Sequence, residues 1–402
     1  MNTNILDTID MRELGKELQQ ARTRRGLTQE DAARIIDVAR TTIIAIEKGD
    51  RRLKAEELIK LAHAYGRQVS DFVRSRPKVE PFQLQFRGSN VHIPEDEANI
   101  APFIDMLEEL SRSYLELEQI TGAPLVHKYP SEYEIAGLRA EQAAESVAIE
   151  ERNRLGLGDG PIPILRDILE QDVGLRIFYL PLHPSKLSAI SIYDDQLGGC
   201  IAINSLHSEV RRRWSLTHAY GHFLVNRYKP IVLMEDTYRR LPENERFADS
   251  FALNFLMPIS GLMRRFNDIL RTKKKITPAD LCTLAHFYGV SVAALTRRLE
   301  DRRLLPKGTW DKLRAAGFKV REARQQLGLE TIPVQYEKLP TRYQYLALDA
   351  FDQGLITEGQ FAHFLDVDRV EARKIAEVLR QHTSDVAEDT TIDLDMTQSL
   401  GA

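Results

Sequence analysis

Cysteine is nearly absent: Cys200 and Cys282 are the only two in 402 residues, and they lie far apart. Their scarcity argues against a disulfide framework and against a zinc site built mainly from thiolates, and it fits a reducing, cytoplasmic setting. Long apolar runs are missing too. No stretch of about 18 uninterrupted apolar residues occurs, and the opening Met1-Asn2-Thr3-Asn4-Ile5-Leu6-Asp7 has neither the basic nor the apolar region of a signal peptide. Neither a membrane span nor export by that route is expected. An excess of one charge sign is also lacking, since 55 Lys and Arg against 59 Asp and Glu leave a net charge of −4. No general affinity for nucleic acid or an anionic membrane follows from the whole chain, so any DNA binding must be local. The remaining composition, 43% hydrophobic and 28% charged with 17 Pro and 22 Gly, is that of an ordinary globular protein of roughly two to four domains.

Periodicity predicts a mostly helical α+β chain. Residues 1–75 read as a small all-α bundle, with apolar residues at helical spacing through Leu14, Leu18 and Ala21, then Ala32, Ala33 and Ile36, then Ile43 and Ile46, then Leu58, Leu61 and Ala62. Residues 76–134 read as a linker and connecting helix: Pro77, Pro81, Gly88 and Pro94 break the pattern around a candidate strand at 82–86, and helical spacing returns over 100–122. Residues 135–300 form a central domain, with helices over 138–155 and 164–173, strands over 175–180, 189–193 and 200–204 making a small antiparallel or mixed sheet, and helices from Glu209 onward. A C-terminal helical module follows over 301–382. The tail, 383–402, holds five acids and no bases and is expected to be disordered.

Two constellations carry chemistry. In the first, Thr28-Gln29-Glu30-Asp31 caps a helix, a turn falls near Asp37-Val38, and Ala39-Arg40-Thr41-Thr42-Ile43-Ile44-Ala45-Ile46-Glu47-Lys48-Gly49 supplies a second helix suited to a major groove. Gln29 suits a phosphate contact; Arg40, Thr41 and Thr42 suit base edges; Ile43 and Ile46 face the core; and Glu47 is a structural cap. Residues 1–75 hold 14 Lys and Arg against 12 Asp and Glu, so local clustering at Arg22, Arg24, Arg25, Arg51, Arg52 and Lys54 matters more than net charge. The stretch resembles the XRE (Cro/cI-type) helix-turn-helix family, through Thr28-Gln29-Glu30 and Ile46-Glu47-Lys48-Gly49. The resemblance implies binding to a double-stranded DNA operator and a homodimer reading paired half-sites. A bundle used only for protein contact is the alternative.

In the second, His218 and His222 stand four apart, so on a helix both imidazoles leave one face as two ligands of a tetrahedral zinc must. Glu245 opens a second helix, ending at Pro258, whose Ala248, Phe251, Ala252 and Phe255 make a tight seam able to bring its carboxylate to the imidazoles. Three protein ligands leave a fourth position open, as in a catalytic zinc site; histidines satisfied within a core, binding no metal, are the alternative. Arg213-Trp214-Ser215-Leu216-Thr217-His218-Ala219-Tyr220-Gly221-His222 with Glu245-x-x-Ala248-Asp249-x-Phe251-Ala252-x-x-Phe255-Leu256-Met257-Pro258 resembles the ImmA/IrrE family of zinc metallopeptidases over about residues 135–300. The resemblance implies a zincin-like fold, Zn2+ as cofactor, and His218, His222 and Glu245 as its ligands. It also implies a general-base Glu directly after the first His, where this chain has Ala219. A methyl group can neither take a proton from water nor deliver one to a leaving amine, so turnover should be nearly abolished while metal binding survives. Ala219 is either an engineered change or the mark of a natural pseudo-peptidase. Glu235 and Asp236 are candidates to replace the base, His207 and Tyr238 are candidates to line the cleft, and Arg213 is expected to anchor the helix.

Together the resemblances imply a cytoplasmic DNA-binding regulator coupled to a zinc endopeptidase that cleaves a protein partner (a repressor, antitoxin or toxin) or itself, in stress, mobile-element or phage-defence control. The alternative is a non-catalytic repressor or antitoxin that uses the zinc fold for sensing or partner binding. Residues 276–299 read as a capped helix, a turn and a helix closing the central domain, and 340–381 as a partner or dimer module.

Overall fold

The computed structural model describes residues 10–67, 69–73, 82, 97–234, 242–329 and 338–388. It divides into two units, Met1–Lys78 and Val79–Ala402.

The first unit holds five helices among its described residues: α1 (Met11–Arg24), α2 (Gln29–Ile36), α3 (Arg40–Glu47), α4 (Ala55–Tyr65) and α5 (Val69–Val73). Thr28 and Asp31 cap α2 reciprocally, and a left-handed Asp37 ends it, which fixes the turn into α3. Ile43 and Ile46 are buried as expected, alongside Leu14, Leu18, Ala32, Ile36, Leu58 and Leu61. Glu47 is buried as well. It accepts from Arg22 Nε at 2.6 Å and from Nη2 at 3.1 Å, so this carboxylate ties α1 to α3. Gly15 is what lets those helices meet, because a Cβ there would lie 2.4 Å from the Ile46 carbonyl oxygen and 2.6 Å from that of Glu47.

The second unit is built on a four-stranded mixed sheet of order β1-β3-β2-β4, from β1 (Arg176–Leu180), β2 (Leu187–Asp194), β3 (Gly198–Asn204) and β4 (Ile231–Met234). β1 runs parallel to β3, and the other pairs are antiparallel. β4 was not expected: it interrupts the run of helices read from Glu209 onward. The candidate strand at 82–86 lies outside the described residues apart from Phe82. The predicted helix over 164–173 is split into α8 (Leu165–Ile168) and a wider turn, Leu169–Val173.

Both faces of the sheet are apolar, so both must be covered. Ile177, Tyr179, Ala189, Ile201 and Ile203 face one core, shared with α7 (Ala140–Arg154), α9 (Glu209–Asn226), α10 (Glu243–Leu256), α12 (Pro278–Tyr288) and α13 (Val292–Asp301). Phe178, Leu180, Ile190, Ile192, Cys200 and Ala202 face a second core. That core is closed by α6 (Glu97–Thr121) together with α16 (Thr341–Asp352), α17 (Glu358–Phe364) and α18 (Arg369–Glu388). Three shorter or surface helices complete the unit: α11 (Ile259–Lys273), α14 (Thr309–Ala315) and α15 (Val320–Gln326). α18 extends into the segment read as a disordered tail, and residues 389–402 lie outside the described ones.

A buried Arg-Glu-Arg triad joins the layers behind the second face. Glu118 of α6 accepts from Arg176 of β1 at 2.8 Å and from Arg342 of α16 at 3.1 Å. Arg176 also donates to the Leu197 carbonyl, and both guanidiniums lie over the Tyr114 ring, 5.2 and 5.6 Å from its centroid. Removing the shared carboxylate strands two cations, one fully buried. Glu118→Gln is therefore expected to lower stability by about 3–5 kcal/mol in urea unfolding of the whole chain. In the first unit, Gly15→Ala should cost about 1–3 kcal/mol by overpacking, read as a lowered melting temperature of the isolated 1–78 segment or of the corresponding transition in the full chain.

Candidate metal centre

The centre sits where α9 crosses α10. His218 and His222, one turn apart on α9, are each 3% exposed. Glu245 lies in the first turn of α10, which Pro242 precedes. Gly221 makes the crossing possible: a Cβ there would come within 2.9 Å of the Phe251 ring. Tyr220, behind the histidines, packs edge-on against Phe251 and Phe255 and donates to Glu151 of α7 at 2.5 Å. Glu151 in turn accepts from Arg154 and Tyr133. The back of the metal helix is thus fixed by a buried polar network.

His218 Nε2 lies 3.1 Å from His222 Nε2 and 3.1 Å from Glu245 Oε2, and His222 Nε2 lies 3.3 Å from Glu245 Oε1. Donors around a tetrahedral ion with bonds of about 2.0–2.1 Å stand about 3.3–3.4 Å apart, so the two imidazole nitrogens and the Glu245 carboxylate are spaced to hold one. No other group of three such ligands converges among the described residues. Burial depresses the basicity of both imidazoles. At His218 the carboxylates of Asp249 and Glu245 outweigh it and hold its pKa above the ordinary value, whereas His222, beside His218, falls below. Although burial opposes ionisation of Glu245, hydrogen bonds from both histidines hold its pKa well below the usual carboxylate range. Of the three donors, Glu245 is thus held as the carboxylate, while the raised His218 pKa favours a proton that a metal ion would have to displace.

Asp249 is the residue that the sequence reading assigned no role. One turn beyond Glu245 on α10, it meets His218 Nδ1 at 2.9 Å, which points Nε2 at the metal position. Its signal was the four-residue spacing from Glu245. The three candidate ligands come together, and Ala219, directly after the first histidine, is 1% exposed and packs in the apolar core. His207 does not line the cleft: its Nε2 faces the Ser185 carbonyl at 2.8 Å and Asn204 at 3.4 Å. Arg213 anchors α9 by donating to the carbonyls of Ile162 and Pro163. Glu235, Asp236 and Tyr238 lie outside the described residues. A cavity of about 470 Å3 opens beside His218 and the two carboxylates, walled by Trp214, Leu233, Met234, Leu256, Val290 and Ala294.

In the N-terminal unit the candidate DNA readers are unequal. Arg40 and Thr41 are exposed and Thr42 is half-buried. Gln29 is engaged inside the bundle, donating to Glu47 at 2.9 Å and accepting from Arg40 at 3.4 Å. α3 begins without a side-chain cap and without an acid in its first turn, which leaves its N-terminal amides and positive dipole end directed outward.

Comparison with known families matches residues 18–72 to the helix-turn-helix family and residues 170–300 to the IrrE N-terminal-like domain of the Peptidase M78 family. No curated protein matches. Among solved structures, Bacillus thuringiensis PlcR in complex with the peptide PapR7 and DNA is 12% identical, with 94% of this chain and 98% of that one covered and a TM-score of 0.18. ComR from Streptococcus suis is 11% identical, with 94% and 91% covered and a TM-score of 0.16. Such scores establish no common fold. The two family matches do establish the chain's composition: it is a fusion of a helix-turn-helix domain with an IrrE N-terminal-like domain.

Proposed function

We propose that this chain is a cytoplasmic DNA-binding regulator whose IrrE-like domain binds zinc through His218, His222 and Glu245 and engages a protein segment in the adjoining cleft, in the manner of a metalloendopeptidase inactivated at Ala219. The observation that carries this reading is the convergence of three donor atoms within 4.8 Å at the edge of an apolar cavity. A zinc ion held there supplies Lewis-acid polarisation of a carbonyl and of a water molecule. Asp249 orients His218, the apolar wall excludes water around a bound side chain, and Arg40 with Thr41 and Thr42 reads DNA as one half of a homodimer. At position 219 the proton acceptor that hydrolysis requires is missing. The reading therefore assigns catalysis to the Glu-bearing form, with a repressor, antitoxin, toxin or the chain itself as substrate.

A second reading is favoured by Ala219 itself: a repressor or antitoxin that holds its partner in the cleft without cutting it. Intact-mass measurements over time on the present chain and on Ala219→Glu, each with zinc and candidate partner proteins, separate the two. Fragments from Ala219→Glu, formed on the order of 10²–10⁴ times faster than from the present chain and lost in a His222→Ala background, establish the peptidase. Unchanged masses in both chains establish the binding role.

Zinc itself is tested independently of turnover. The purified chain should carry one zinc, and free zinc at about a thousand times its dissociation constant should raise stability by about 4 kcal/mol. The thermal shift should vanish in His222→Ala and shrink as pH falls, starting above the ordinary imidazole range because the raised His218 pKa brings proton competition in early. Absence of stoichiometric zinc would rule out this part of the proposal.

A further inference from the structure

Charge is distributed very unevenly along the chain. Residues 259–326, from α11 to α15, hold sixteen Lys and Arg against six Asp and Glu, a net charge of +10, so the other 334 residues sum to −14. Arg271, Lys273 and Lys319 in this stretch are paired with Asp268, Asp280 and Glu322. Lys274, Lys275, Arg303, Lys307, Lys312 and Arg314 are exposed and have no acid partner among the described residues. Arg264 and Arg302 of the same stretch are paired, with Asp159 and Glu145, and on the C-terminal helix Arg373, Lys374 and Arg380 are each clamped to an acid. Unneutralised like charge carried by one group of packed helices costs self-repulsion in the folded chain, and a polyanion relieves that repulsion.

The helices that carry these residues are packed in sequence, α13 against α12 and α14 against α13. Lys273 of α11 bonds to Asp280 of α12 at 2.6 Å, Arg265 of α11 lies 3.6 Å from the centroid of the Phe287 ring, and Arg324 of α15 meets His286 at 3.2 Å. α12 and α13 meet at 104° across a short turn containing a left-handed Gly289, which is helix-turn-helix geometry. The second helix is nonetheless not free to read bases from its N-terminal end, because Val290, Ser291 and Ala294 wall the cavity beside the metal centre. What this surface offers a duplex is cationic side chains for phosphates.

We infer that the basic surface of α11–α15 is a second, sequence-independent contact for the DNA backbone, used alongside the N-terminal reader. The inference rests on the proposal that the chain binds DNA. Phosphate contacts add affinity, steepen its salt dependence and leave sequence preference untouched.

The test uses the full chain and two probes, a random-sequence 40-base-pair duplex and a duplex selected by this chain from a random pool, with dissociation constants measured from about 50 to 300 mM salt. A combined Lys274→Gln, Lys275→Gln, Arg303→Gln, Lys307→Gln, Lys312→Gln and Arg314→Gln variant, shown by circular dichroism to be folded, should lose at least tenfold in affinity for both duplexes at about 100 mM salt. Its slope of log K against log salt should flatten by about 0.9 for each phosphate contact removed. The ratio of the two affinities should be unchanged. An Arg373→Gln, Lys374→Gln and Arg380→Gln control, which lowers the net charge elsewhere, should leave the slope as it was. A normal slope in the six-site variant, or a control that flattens it equally per charge removed, overturns the inference; if Arg40→Ala meanwhile erases the preference for the selected duplex, the DNA-reading proposal stands without it. Failure of the unmodified chain to bind either duplex at the lowest salt overturns both.

Discussion

A sheet that is apolar on both faces cannot be left half-covered, and the second unit is organised around that requirement. One face is covered by the helices that hold the metal centre. The other is covered by a helix before the sheet and by three helices near the C-terminus, cross-linked through Glu118. Those late helices therefore belong to the same body as the metal centre and not to an appended module in the energetic sense. Loss of their packing would expose β3, which the two cores share through alternate side chains of one strand.

The candidate metal centre depends on that support but is assembled locally. Two turns of α9 and two of α10 supply every donor and the residue that orients one of them, and the absence of a side chain at Gly221 sets how closely the two helices pass. Such a site needs little from distant parts of the chain except rigidity, which the Tyr220-Glu151-Arg154 network provides from behind. The cavity beside the site is built differently. The cavity wall draws on β4, α9, α10 and the turn before α13, elements dispersed in sequence that meet only in the folded unit.

This division explains what could be read in advance. His218, His222 and Glu245 were legible because helical periodicity converts a four-residue spacing into a shared face, and because a run of small and aromatic residues marks a helix that packs closely. Asp249 obeys the same spacing, yet its role required knowing which imidazole nitrogen it would meet. β4 escaped notice because four half-buried residues show no alternation. The triad was invisible because Glu118 and Arg342 are 224 residues apart and nothing local couples them. In the N-terminal unit the bundle and its caps were legible from Thr28, Asp31 and the glycines, whereas the engagement of Gln29 with Glu47 was not, since it depends on a side-chain contact between helices.

The burial of Ala219 sets stability against turnover at a single position. A methyl group suits the apolar packing around it, so the chain as it stands has nothing charged to solvate there. The A219E chain would place a carboxylate in the same closed space, where an ionised group without a cation nearby is expensive. Folding of such a chain would lean on the metal far more heavily than folding of this one. On the proposed reading, the alanine would thus exchange a proton acceptor for a side chain that its apolar surroundings favour, the kind of trade-off expected wherever an active site is held against the preferences of its own core.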